Sequence, residues 1–174
     1  MSKLIKFQIL TSEYKLFKYY SYEDNGGINL YIYIANIKHK QPKTYENFVK
    51  NNTYIEHDMI ASLSAFIDKQ EENDDPEEYY NGYRISIKFI DVNPNYRSNG
   101  IATYLILYTL TFGKELIPEL ELVLLDDDSN NAHSESNLYT KLDFTYINKK
   151  PFPEMKGLIS QILKNYTNFK KKYI

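Results

Sequence analysis

Apolar and polar positions change rhythm several times along this chain, and each rhythm predicts an element. Leu4 to Leu10 alternates in part and predicts a first strand; Ser12 to Tyr20 reads as a short helix. Asn25-Gly26-Gly27 is a turn, because glycine supplies the positive φ that tight turns use. Ile28 to Ile37 alternates Tyr and Ile with period two, as a strand does. Met59, Ile60, Leu63, Phe66 and Ile67 fall at i, i+1, i+4, i+7 and i+8, a stripe at helical period that predicts a helix over Glu56 to Gln70. The acidic run Glu71 to Glu78 contains Pro76 and reads as a solvated loop.

The second half is more regular. Tyr83 to Val92 predicts a strand with Ile85, Ile87, Phe89 and Asp91 on one face and Ser86, Lys88, Ile90 and Val92 on the other. Gly100 to Leu116 predicts a helix whose apolar face carries Ile101, Leu105, Tyr108 and Phe112, stopped by Pro118. Leu120 to Leu125 is a more apolar strand, suited to burial on both faces. Ala132 to Leu142 predicts a helix, Phe144 to Ile147 a short strand, and Glu154 to Tyr173 a terminal helix. Strand, helix, strand, helix is the rhythm of a parallel pair with a crossover, which places the chain in the α/β class.

Length and composition narrow the classes without naming a chemistry. The chain has 174 residues, the size of a single domain over residues 1–174. Net charge is −2, from 21 basic and 23 acidic residues, with no basic stripe, so no nucleic-acid partner is expected. Lys170-Lys171-Lys172 reads as a solvated end. The absence of Cys excludes disulfides, thiolate metal ligands and a cysteine nucleophile. His39, His57 and His133 lack metal-ligand spacing, so no metal is expected. The start Met1-Ser2-Lys3-Leu4 has no long apolar stretch, and no run could span a bilayer; a cytoplasmic protein without a membrane partner is the expectation. The 18 Tyr accompany abundant Asn, Lys and Ile, which share AT-rich codons, so the tyrosines alone do not argue for a binding face.

One turn carries chemistry. Val92-Asn93-Pro94-Asn95-Tyr96-Arg97-Ser98-Asn99-Gly100-Ile101-Ala102 lies where a strand hands over to a helix. The first N–H groups of a helix have no partner within it, and the helix dipole favours negative charge there, so such an end takes phosphate. Gly100 has no Cβ to hold a ligand away, and Arg97 offers paired, charge-assisted hydrogen bonds. Neither GxxxxGK[ST] nor GxGxxG is present, so neither a nucleotide triphosphatase loop nor a dinucleotide fold is indicated. A capped helix with a glycine near its start is the other reading of R-x-x-G-x-A taken alone.

The segment resembles the acetyl-CoA motif of the GNAT acetyltransferases, Q/R-x-x-G-x-G/A after a strand ending V-x-P-x-x-R. Here Val92-x-Pro94 precedes Tyr96-Arg97-x-x-Gly100-x-Ala102. A second landmark of the family, a helix with Tyr followed by K-x-G-F, is matched by Leu138-Tyr139-Thr140-Lys141-Leu142-Asp143-Phe144. Asp143 stands where the family usually has Gly, and Ala132 stands where an Asn is often found. The family usually places two helices between its first two strands, whereas the best helical stripe here follows Ile28 to Ile37.

The resemblance implies a mixed central sheet with helices on both faces and a βαβ acyl-CoA unit in the C-terminal half. It implies an N-acetyltransferase that moves an acetyl group from acetyl-CoA, as co-substrate, to a primary amine by direct attack in a ternary complex. The amides of Arg97, Ser98, Asn99, Gly100, Ile101 and Ala102 would hold the pyrophosphate, and Thr103 would add a hydroxyl. Ile90 and Val92 would pair with the pantetheine arm, and a backbone N–H there would steady the oxyanion. Tyr139 would protonate the departing thiolate; a core aromatic is the alternative, since Leu138, Tyr139 and Leu142 also suit a packing stripe. Asp126, with Asp127 and Asp128 beside it, is the candidate base, and ordinary loop acidity is its rival; Ser86, Lys88 and His133 are further candidates for the acceptor side. The acceptor would be a small-molecule or peptide amine, and the acidic stretches point towards a cationic one. Small enzymes of the family often dimerise, so a homodimer is among the assemblies implied. The alternative function is a non-catalytic acyl-CoA-binding or interaction domain on the same fold.

Overall fold

The computed structural model describes residues 13–38, 59–69, 82–129, 132–134, 137–148, 150–151 and 153–164. The expected strand Leu4 to Leu10, the acidic loop Glu71 to Glu78, and His39 and His57 lie outside them.

β1 (Tyr14–Tyr22), β2 (Ile28–Asn36), β3 (Met59–Lys69), β4 (Tyr83–Val92), β5 (Leu122–Asp126), β6 (Thr145–Tyr146) and β7 (Glu154–Leu158) form one sheet in the order β1-β2-β3-β4-β5-β7-β6. All neighbours are antiparallel except β4 and β5, which run parallel and are joined through α1 (Ile101–Leu116). The seven-stranded sheet is thus mixed, with the expected βαβ unit at its centre. Among the described residues no helix is long and apolar enough to cross a membrane.

α1 lies on one sheet face. Ile32, Leu63, Ile85, Leu105, Leu110 and Val123 are fully buried between the two. The approach is close at Gly113, where an added Cβ would stand 2.9 Å from Leu120 Cδ2 and 3.5 Å from Ile85 Cδ1. The opposite face of the N-terminal strands carries a second cluster, Phe17, Tyr33, Ala35 and Met59.

Four expected elements differ. Ser12 to Tyr20 is no helix: β1 occupies Tyr14–Tyr22 and pairs along its whole length with β2. Residues 23–27 join the two strands directly, with Asn25-Gly26-Gly27 in the turn and Gly26 at φ 81°, so no helices separate them. The described part of Glu56 to Gln70 is not a helix either: Met59–Lys69 is β3. β3 lies between β2 and β4 with Leu63, Ala65 and Ile67 buried on the α1 side, and apolar residues four apart, as Leu63 and Ile67 are, serve a period-two strand equally well; a register shift between Ile34 and Ala35 turns Met59 to the other face. Within Ala132 to Leu142 the described residues form turns, ending in a single 3₁₀ turn, Thr140–Leu142. Glu154 to Tyr173 begins with β7, which inserts between β5 and β6; helix starts only at residue 159.

Strict alternation along β4 also fails. Ser64 pairs with Phe89 but Ala65 with Ile87, which leaves Lys88 as the extra residue of a β-bulge. The bulge moves Ile90 and Val92 onto the α1 face with Ile85 and Ile87. Phe89 and Asp91 move to the opposite face with Ser86.

Candidate active site

The bulge opens a gap in the sheet. Pairing of β4 with β5 runs from Arg84–Leu122 to Ile87–Leu125 and goes no further among the described residues. Asn93 N–H donates to the Ile60 carbonyl on β3, so the backbone groups of Asn93 and Asp91 face β3. By alternation those of Ile90 and Val92 face the gap.

The gap continues into a cleft of about 420 Å³ at the start of α1, a size common for small-molecule sites. Its walls are Ile90, Asp91 and Val92 from β4, Tyr96, Arg97, Ser98 and Gly100 from the following loop, Ile101, Ala102 and Thr103 from α1, and Ser129, Leu138 and Tyr139 from the far side. Every residue singled out above as an acetyl-CoA contact, Asn99 excepted, lies on this wall. Asn99 turns its side chain back, donating to the carbonyls of Tyr96 at 2.8 Å and Arg97 at 3.1 Å. Arg97 donates from Nε to the Val92 carbonyl at 2.9 Å, which ties the loop to the end of β4. Tyr96 is anchored from the sheet edge through a 2.9 Å hydroxyl contact with Tyr14.

α1 starts at an N-cap, Gly100, with φ 78° and no side-chain capping bond. The opening amides of α1 are therefore left to solvent or ligand. An added Cβ at Gly100 would meet nothing within 4 Å. The glycine is needed for its left-handed backbone more than for the space a Cβ would take. Ser98, at φ 62°, adopts the same conformation two residues earlier, where a non-glycine residue carries strain.

Tyr139 sits at the start of the 3₁₀ turn, half-buried, its ring 6.0 Å from that of Phe144. Burial pushes its phenol up to about 12, and the charges of Asp127 and Asp128 add to the shift. The group is thus protonated throughout the neutral range, as a donor must be.

Asn137 and Asp127 hold that turn, and sequence reasoning missed this role. Asn137 Oδ1 accepts from the Tyr139 N–H at 2.7 Å, and its Nδ2 donates to Asp127 Oδ2 at 2.7 Å. Asp127 is fully buried and also accepts from the Ser129 N–H and hydroxyl and from Tyr146 Oη at 2.9 Å. A carboxylate taken out of water needs such donors. Burial, followed by the hydrogen bond to Asp127, raises the Tyr146 phenol. Tyr146 Oη also accepts from the N–H of His133, whose φ of 64° interrupts any helix there. An Asx residue two positions before Tyr139 is the sequence hint of this cap. Asp143 stands at φ 66°, the left-handed conformation a glycine would take in this turn.

The other candidates fall elsewhere. Asp126 is exposed at the end of β5, opposite Glu154 and off the cleft wall. Ser86 and Lys88 do not share the face of Ile90 and Val92. His133 is exposed, its ring 4.6 Å from that of Tyr146. Among the described residues no group of three His, Asp or Glu could hold a metal.

Comparison with known proteins follows this geometry. No curated protein matches the chain by sequence. Among solved structures, the AtaT toxin bound to the C-terminus of the antitoxin AtaR and acetyl-CoA superposes with a TM-score of 0.53 at 8% identity, over 80% of this chain and 73% of that one. AtaT complexed with acetyl-methionyl-tRNAfMet gives 0.51 at 10% identity, over 79% and 75% of the two chains. Arabidopsis thaliana NAA60 in complex with a bisubstrate analogue gives 0.50 at 17% identity, over 75% and 74%. At these identities the likeness is one of fold. The model of the acetyltransferase (GNAT) family matches residues 9–144, well over half of the sequence. The chain belongs to the acetyltransferase (GNAT) family.

Proposed function

We propose that this protein is an acetyl-CoA-dependent N-acetyltransferase acting on a primary amine. The observation that carries the reading is the uncapped start of α1 opening into the same cleft as the Tyr139 ring. The amides from Ser98 to Ala102 hold the diphosphate, with the Thr103 hydroxyl beside them. The pantetheine arm lies in the gap and pairs with the backbone groups of Ile90 and Val92. One of those N–H groups donates to the thioester oxygen as it becomes an oxyanion.

The neutral amine attacks the thioester carbon, a C–N bond forms, and the C–S bond breaks. Tyr139 donates its phenolic proton to the departing sulfur and is reprotonated, through water, by the proton that the attacking nitrogen sheds as the amide forms. Its raised pKa keeps it a neutral phenol, able to donate, until the thiolate develops. The proton lost by the ammonium leaves through water on the far sheet face, where Asp126 is exposed. The products are the N-acetyl amine and free CoA.

Tyr139→Phe tests the assignment. Turnover is expected to fall about 10²–10⁴-fold, the range for loss of one general acid, with acetyl-CoA affinity retained in calorimetry. Retained affinity with no transfer by the wild-type chain to any amine would favour the second reading, a non-catalytic acyl-CoA-binding domain. That reading draws on Asp126 standing off the cleft wall. The solved relatives bound to tRNA or to an antitoxin make aminoacyl-tRNA and peptide amines suitable members of the first acceptor panel.

A further inference from the structure

Phe89 is 47% exposed. The other exposed large apolar residues among those described have simple reasons: Tyr20 and Tyr22 lie on the edge strand β1, Ile37 follows the end of β2, and Leu158 ends β7. Phe89 instead lies on β4, the fourth strand of seven. Phe89 thus offers an apolar surface at the middle of a sheet face.

The bulge at Lys88 is what puts it there, and the same shift brings Asp91 onto the same face. Two rows cross that face: Tyr31, Ser64, Phe89 and Tyr33, Ser62, Asp91. In each row the middle residue is serine. Tyr31 and Phe89 stand two strands apart, roughly 10 Å between backbones, yet their rings approach to 6.1 Å over Ser64. The small serine makes this aromatic shelf possible. Asp91 lies two residues further along the strand, roughly 7 Å away, and is also on the cleft wall. Asp126, two residues beyond Leu124 on β5, is on the same face across the gap; Lys156, the partner of Leu124, lies behind it.

We propose that this shelf is the acceptor subsite, and that the acceptor is a primary amine bearing an aromatic side chain close to its nitrogen. Its ammonium is drawn to Asp91 at the mouth of the gap, and its side chain lies on the rings of Phe89 and Tyr31. The separation of the carboxylate from the rings is the length of one side chain. A long polyamine would fill the charge and leave the rings in water. The inference rests on the proposed transferase reading and adds the chemical class of the second substrate.

The test uses the full chain with acetyl-CoA and three amines: 2-phenylethylamine, n-butylamine and spermidine. The expected kcat/KM is about tenfold or more higher for phenylethylamine, the effect of roughly 1.4 kcal/mol of ring contact. Phe89→Ser, at an exposed site, should erase that preference with acetyl-CoA affinity unchanged. Asp91→Asn should lower kcat/KM for all three amines. Direct calorimetry of phenylethylamine binding reads the shelf without turnover. A chain that acetylates spermidine or butylamine as well as phenylethylamine, or a preference that survives Phe89→Ser, overturns the shelf and leaves the transferase standing. A chain that binds phenylethylamine in a Phe89-dependent way but transfers to no amine keeps the shelf and overturns the transferase.

Discussion

At Tyr139 a half-buried phenol is the donor of the proposed reaction. Its folded pKa of about 12 exceeds the ordinary value of 10.0. Between those values the unfolded chain releases a proton that the folded chain keeps, so folding loses its advantage as pH rises. The contribution is complete below pH 10 and is lost as pH rises through about 12. Base titration of the wild type and Tyr139→Phe should therefore diverge only in that alkaline window. A neutral-pH difference in base sensitivity would contradict the burial argument. Asn137 offers a second test at this scale. Asn137→Ala removes a donor from buried Asp127 and the cap on the Tyr139 amide. It should cost about 1–3 kcal/mol in chemical denaturation. Asp143→Val places a β-branched residue at φ 66° and should cost about 1–3 kcal/mol, which melting of the purified variant would measure.

At the scale of elements, α1 was legible and β3 was not, for one reason. Pro94, Gly100 and Pro118 punctuate α1 locally, and its apolar residues occupy a helical stripe that no strand reading shares. The stripe of β3 is ambiguous, because a spacing of four serves either period. Only its two long antiparallel partners decide the matter. The turns at 132–134 and 137–142 were lost for a different reason. They are organised by Asp127, Asn137 and Tyr146, residues up to 19 positions apart, and local propensity carries no trace of that. Close packing of α1 on the sheet can be probed at Gly113. Gly113→Val should lose about 1–3 kcal/mol through overpacking against Leu120 and Ile85. An unchanged denaturation midpoint would mean that α1 can slide.

Across the whole molecule, cleft and fold share a cause. The crossover through α1 makes β4 and β5 parallel, and the bulge at Lys88 parts their ends. A ligand that fills this gap binds the folded chain alone. Acetyl-CoA at about 100 times its dissociation constant should therefore add roughly 2.7 kcal/mol. The melting temperature should rise by several degrees, and scanning calorimetry with and without ligand checks it.

Local chemistry in the chain determined where the amide-bearing turn lies, which helix it opens and which family it resembles. A strand end, a proline and a left-handed glycine are contiguous signals, read over a dozen residues. The tertiary structure alone decided that Phe89 faces water, that Asp91 left the face of Ile85, and that Asn137 serves Tyr139. Each depends on pairing between distant segments: a single extra residue in β4 inverts every side chain beyond it, and nothing within the strand itself announces the slip.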